Sequence, residues 1–311
     1  DPVFQAAADT NISMAVQLAP QAMNEFLAYQ WSEASIDGKV DLAHPAIRSA
    51  LNSHLDLALK YLAELETVHS ISLADRPNYR FEGESVREDF IAHIEELYDD
   101  VQNLNQSWRA HMASYDEIGI WGVYHDNPPI EAVVDLPDHR YQIQRAYQSD
   151  WQNFHRSLAF QHIADLAQVV RKRVPEIPLQ TVLSDTVFDI GDAQQGVDRT
   201  ALGRAMDINA CSATNTIQDK FYAMTYPNAV AYYTLARSME PGKPILNMHN
   251  QILLEDELPA ETQYAYVHSA MWEGAIAGLS GTTLPAGSPV LDAPYALEAF
   301  ATAGMEINRL T

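Results

Sequence analysis

Val68-His69-Ser70-Ile71-Ser72-Leu73-Ala74-Asp75-Arg76-Pro77 is the stretch on which the fold reading turns. Residues 69–73 have the length and apolar content of a strand, and the run ends in an acid, a base and a proline. A proline carries no N–H for a sheet ladder, so it closes the strand and leaves Asp75 and Arg76 at its C-terminal end. Short apolar segments of the same kind recur outward from it at residues 12–18, 118–124, 179–183, 207–211, 244–248 and 281–284.

Helical periods fill the gaps. Ile47, Leu51, Leu55, Leu59 and Leu62 share one face of a first helix. Phe90, Ile94, Leu97, Val101, Leu104 and Trp108 form the stripe of a second, opened by a capping box at Ser85 and Glu88. A long helix is expected over 141–174, stopped by Pro175, with others over 229–238, 261–279 and 295–303. Strands alternating with helices argue for an α/β fold with a parallel sheet, in one domain over residues 1–311. The proline- and acid-rich segment 124–139 is the expected loop excursion.

At 311 residues and 47% hydrophobic content the chain can bury one large core. It has no uninterrupted apolar run of spanning length, and Asp1-Pro2-Val3-Phe4 lacks the features of a signal peptide, so a soluble chain is expected, with its location unread. A net charge of −23 disfavours nucleic acid and anionic membrane, both polyanions, and leaves neutral or cationic ligands. Cys211 stands alone, which rules out an internal disulfide and a thiolate cluster. Neither a His-Glu-x-x-His metal spacing, a glycine-rich phosphate loop nor a Gly-x-Ser-x-Gly elbow occurs, so no metal and no cofactor is expected.

In a parallel barrel the residues after each strand converge on one mouth. That rule selects Gln21, Asp75 and Arg76, His125 and Asp126, Asp185, Asn209, His249, Asn250 and Gln251, together with residues 285–287. Each has a plainer reading as well. Asp75 and Arg76 can be a structural ion pair, His125 and Asp126 can serve loop structure, and Asp185 can cap a turn. Cys211 reads as a small buried hydrophobe and Glu273 as scaffold.

Three stretches carry a family resemblance: Val68-His69-Ser70-Ile71-Ser72-Leu73-Ala74-Asp75-Arg76-Pro77-Asn78-Tyr79, Gly242-Lys243-Pro244-Ile245-Leu246-Asn247-Met248-His249-Asn250, and Met271-Trp272-Glu273-Gly274-Ala275-Ile276-Ala277-Gly278-Leu279-Ser280-Gly281-Thr282-Thr283-Leu284. With the closing Ile307-Asn308-Arg309-Leu310, they make the chain resemble the barrels of clan-A glycoside hydrolases, in particular the β-galactosidase (family 42) and agarase-like branches. The resemblance implies a (β/α)8 TIM-barrel-like fold and a saccharide or small-molecule ligand. It also implies a glutamate acid/base in Asn-Glu-Pro after strand four and a glutamate nucleophile ending strand seven, the pair that retaining chemistry requires.

Matched to this chain, those two positions fall on Arg76 and His249. Arginine stays protonated and cannot cycle a proton, and histidine is a poor covalent substitute for a carboxylate. The histidine expected near Ala277 and the aromatic platforms expected near Pro285 and Gly287 are missing too, and residues 17–24 lack the expected aromatics. The functional expectation is a carbohydrate-active barrel protein with weak or no hydrolysis by the usual route. A saccharide-binding pseudoenzyme and an engineered barrel with a pocket rewritten for non-sugar acid/base chemistry compete to explain it. A third reading gives Asp75 the acid/base role, paired with Asp126 or Asp185. If residues 69–73 are strand four, the first two βα units of the barrel are unaccounted for, and a partner chain, a second copy or a rearranged architecture is expected to close it.

Overall fold

The computed structural model describes residues 2–18, 35–36, 39–40, 44–77, 81, 84–119, 137–184, 197–216, 227–254 and 258–310. Six parallel strands make the central sheet: β1 (Met14–Gln17), β2 (Val68–Asp75), β3 (Leu179–Ser184), β4 (Ile208–Ser212), β5 (Ile245–Asn247) and β6 (Gly281–Thr282), hydrogen-bonded in chain order. Parallel neighbours in chain order need a crossover each time, and crossovers are right-handed, so every connecting helix falls on the same face. A sheet covered on one face in this way curls toward the other, giving the arc of a (β/α) barrel.

The outer layer is built from α1 (Pro2–Thr10), α2 (Pro45–Leu62), α3 (Glu84–Tyr98), α4 (Val101–Trp108), α5 (Pro137–Arg173), α6 (Arg199–Ala205), α7 (Pro227–Met239), α8 (Ala260–Ala277) and α9 (Pro294–Asn308). The α2 helix follows from its sequence. His44 Nδ1 accepts the Ala46 N–H at 3.3 Å, Pro45 sits where its missing N–H costs nothing, and Ile47, Leu51, Leu55, Leu59 and Leu62 are all buried. Each such burial contributes about 1.5–3 kcal/mol. Helix α8 ends at Gly278, whose φ of 108° only glycine adopts without strain.

Alternation sorts the strands cleanly. Ile71, Leu73, Leu179, Leu183, Cys211 and Ile245 face the helices and join the main core. A second, smaller core lies at the C-terminal end, where Tyr266 and Val267 of α8 meet Ala296 and Ala299 of α9.

All six sheet strands overlap segments expected from the sequence, and so do α2, α5, α7, α8 and α9. Two expectations need correction. The stripe from Phe90 to Trp108 is two helices, because Asp99 turns left-handed (φ 59°) and Asp100 begins a new helix by accepting the Asn103 N–H at 2.7 Å. Helix α3 opens at Glu84, so Ser85 lies within it and is not its cap. Of the expected strand 118–124, Ile118 and Gly119 pair with no described strand, their carbonyls accepting from Arg87 Nε at 2.7 Å and Tyr147 Oη at 2.8 Å, and residues 120–124 lie outside the described residues. Of the excursion 124–139, residues 137–139 already belong to α5 and the rest lies outside the described residues. Helices α1 and α6 were not expected.

Candidate functional site

The rim at the C-terminal ends of the strands is organised by a bulge in β2. Ser72 pairs with Gln180 and Asp75 with Val182, so three steps on β2 match two on β3. Paired residues of a parallel sheet share a face, and Gln180 and Val182 lie on one face of β3. Asp75 therefore shares the inner face with Ser72 despite its odd spacing, an example of a bulge re-aiming a side chain. The Gln180 amide donates to Ser70 Oγ at 3.3 Å on that same face.

Arg76 follows with φ 45°, its N–H donated to the Val182 carbonyl at 2.7 Å. A left-handed arginine is strained by roughly 1–3 kcal/mol, and such strain gathers at functional sites. Its Nε lies 3.5 Å from Asp75 Oδ1, and the arginine side chain is 58% exposed against 17% for the aspartate. Oδ1 itself is enclosed and accepts no hydrogen bond among the described residues.

His249 comes to the same place from the far side of the sheet. Laid flat, β2 and β5 would stand three strand spacings, ~14 Å, apart. The curl of the sheet brings His249 Nε2 to 3.8 Å from Asp75 Oδ2, with the imidazole 35% exposed. The turn that presents it is fixed at its base by Asn247, the last residue of β5. Asn247 is fully buried; its Oδ1 accepts the Ala213 N–H at 3.1 Å and the His249 N–H at 3.3 Å, while its amide donates to Tyr233 Oη of α7 at 2.8 Å and to the Ala213 carbonyl at 3.3 Å. On the next side, Met248 N–H donates to the Cys211 carbonyl at 2.8 Å, and Thr283 Oγ1 donates to the Met248 carbonyl.

The other expected site residues divide. Asn250 is buried beside His249, its Oδ1 accepting from Asn215 Nδ2 at 2.9 Å, and exposed Gln251 begins a short parallel pairing of Gln251–Leu253 with Thr214–Thr216. Asn209 is not at the mouth: β4 starts at Ile208, so Asn209 lies near its beginning, and its Oδ1 stands 3.2 Å from where a Cβ on Gly203 of α6 would lie, facing the helices. Gln21, His125, Asp126 and Asp185 lie outside the described residues. Asn247 and Tyr233 escaped the sequence reading as a pair, although an asparagine inside an apolar strand already calls for buried partners.

Chemically, the described rim juxtaposes one carboxylate, one imidazole and one guanidinium. That set can orient and move a proton and can hold hydroxyl or anionic groups. Among the described residues, no three His, Cys, Asp or Glu side chains gather as a metal site, and no helix is long and apolar enough to cross a membrane.

Comparison with known proteins bears on the fold and on descent. Similar solved structures include the apo exo-carrageenase of family 42 from Bacteroides ovatus, at 15% identity and a TM-score of 0.68, covering 87% of this chain and 40% of that one. The β-galactosidase from Bacillus circulans sp. alkalophilus shares 12% identity at a TM-score of 0.72, covering 100% and 48%. The polyextremophilic β-galactosidase from the Antarctic haloarchaeon Halorubrum lacusprofundi shares 13% at 0.68, covering 99% and 50%. At these identities the likeness is one of fold, and the chain spans half or less of the length of each. No curated protein matches the chain. The model of the β-galactosidase family of glycoside hydrolases, family 42, matches residues 58–288, from within α2 past the end of β6. Since that match takes in most of the chain and five of the six sheet strands, the protein belongs to glycoside hydrolase family 42.

Proposed function

We propose that this chain is a carbohydrate-active barrel protein whose mouth holds a saccharide, and that it hydrolyses glycosidic bonds weakly or not at all by the usual retaining route. The observation that carries this reading is the contact of Asp75 with His249 at 3.8 Å across the rim. Retaining hydrolysis places two carboxyl groups ~5–5.5 Å apart, one to protonate the leaving oxygen and one to attack the anomeric carbon. Here a carboxylate faces an imidazole, and Arg76 takes the position at which the resemblance expects the proton donor. An arginine cannot release its proton to a leaving group at ordinary pH. Galactosides are the first saccharides to try, because the similar structures described above include β-galactosidases.

The same contact supports a second reading. Asp75 can orient the His249 ring, leaving His249 to act as a general base on a bound hydroxyl or a non-sugar substrate.

Initial rates on nitrophenyl galactosides and glucosides, measured for the parent and for the Arg76→Glu/His249→Glu double variant, separate the outcomes. Restoring both carboxylates is expected to raise the rate by about a thousandfold over the parent, the scale of effective acid–base catalysis. Comparable activity in the parent overturns the proposal and turns attention to Asp75 with Asp126 or Asp185.

A further inference from the structure

A cleft of about 190 Å³ opens between α2, α3 and α5, in the helical layer outside the sheet, and neither Asp75 nor His249 lines it. A single water needs only ~15 Å³ of such space, so the cleft has room for a small molecule. Its composition is layered. Leu51, Phe81, Val86 and Leu166 form a buried apolar floor, while Arg48, Asn52, Asp89, Gln161 and Asp165 stand exposed around the lip. His162 sits between floor and lip, with Nε2 shielded from solvent. Burial pushes its ring down to about 4, with Arg48 acting in the same direction and Asp165 against it, so the imidazole is neutral at neutral pH and able both to donate and to accept.

An apolar floor under a ring of mixed donors and acceptors is suited to a molecule with one C–H face and hydroxyls around its edge. Carboxylates at Asp89 and Asp165 accept from hydroxyls, Arg48 donates, and the amides of Asn52 and Gln161 do both. We infer that this cleft is a second saccharide site, taking a single neutral pyranose, separate from the barrel mouth. A fully anionic ligand is disfavoured by two carboxylates on the lip and by the −23 charge of the chain. The inference does not depend on what the mouth binds.

The test is saturation-transfer NMR and titration calorimetry with galactose and with glucose at millimolar concentrations, on the full chain and on four variants. Leu158 is half-buried in the wall of the cleft, so Leu158→Trp fills it; Asp89→Ala and Asn52→Ala trim the exposed lip without touching the core, and His249→Ala alters the mouth alone. Saturation transfer to at least one sugar is expected in the parent and retained in His249→Ala; with the mouth so altered, adding Leu158→Trp abolishes it and adding either lip variant weakens it roughly tenfold. Because the lip variants remove only exposed side chains, they decide the matter even if Leu158→Trp fails to fold. Affinity unchanged by both lip variants, loss in His249→Ala with the lip variants unaffected, no binding of either sugar, or binding of glucosamine without binding of the neutral sugars would each overturn the assignment.

Discussion

Replacing Asn247 with alanine strands the Ala213 N–H in a dry site, removes one partner each from the Tyr233 hydroxyl and the Ala213 carbonyl, and frees the turn that presents His249. We expect the Asn247→Ala variant to lose about 3 kcal/mol, read from urea unfolding, because orphaned buried groups cost more than the bonds themselves are worth. A second residue-scale prediction concerns His155, which is 2% exposed and packed edge-on against Phe81 with ring centroids 5.4 Å apart. Burial pushes its pKa from the ordinary 6.5 to about 4. The unfolded chain then takes up a proton near 6.5 that the folded chain refuses until about 4, so stability is full above 6.5 and drains away as pH falls through that window. The loss from this residue amounts to about 3 kcal/mol. Thermal melts at pH 7 and pH 4.5 should show it, and a His155→Phe variant should show a smaller drop between those two conditions. The sequence made His249 and Asp75 visible because both follow strand-like runs. It did not reveal their contact, which depends on the curl of the sheet and on a turn held by a buried asparagine.

At the scale of elements, periodicity was the legible part. The five apolar residues of α2 lie where a 3.6-residue repeat puts them, and each is buried. What periodicity missed was the break between α3 and α4, because Asp99 and Asp100 leave the apolar stripe intact while changing the backbone beneath it. That break is testable. The Asp100→Ala variant removes a cap and should lose about 1 kcal/mol, whereas Asp99→Gly, at φ 59°, should gain about 0.5–1 kcal/mol by relieving a left-handed non-glycine residue. Denaturant midpoints of the two variants should move in opposite directions. Of the strand expected over 118–124, only Ile118 and Gly119 are described, and there side chains of α3 and α5 take the carbonyls.

Across the whole molecule, 42 acidic residues against 19 basic ones repel one another most strongly when the folded state holds them close. Salt shortens the reach of that repulsion from ~10 Å at 0.1 M to ~3 Å at 1 M. The melting temperature should therefore climb as sodium chloride is raised from 0.05 to about 1 M, and a flat or falling curve would show that local ion pairs outweigh the general repulsion. Local pairs exist, such as Arg173 with Asp56 at 2.8 Å, but both partners are more than half exposed and contribute little.

The bulge in β2 reaches beyond this molecule. Past Ser72, one residue of β2 has no counterpart on the neighbouring strand, so gap-free alignment with a bulge-free relative slips by one position just where Asp75 and Arg76 stand. Equivalence at this rim is better assigned by the carbonyl each residue faces than by its place in the string. A deletion variant lacking Ala74 should flatten the bulge while keeping an aspartate opposite Val182, and hydrogen exchange of the Arg76 amide would report it.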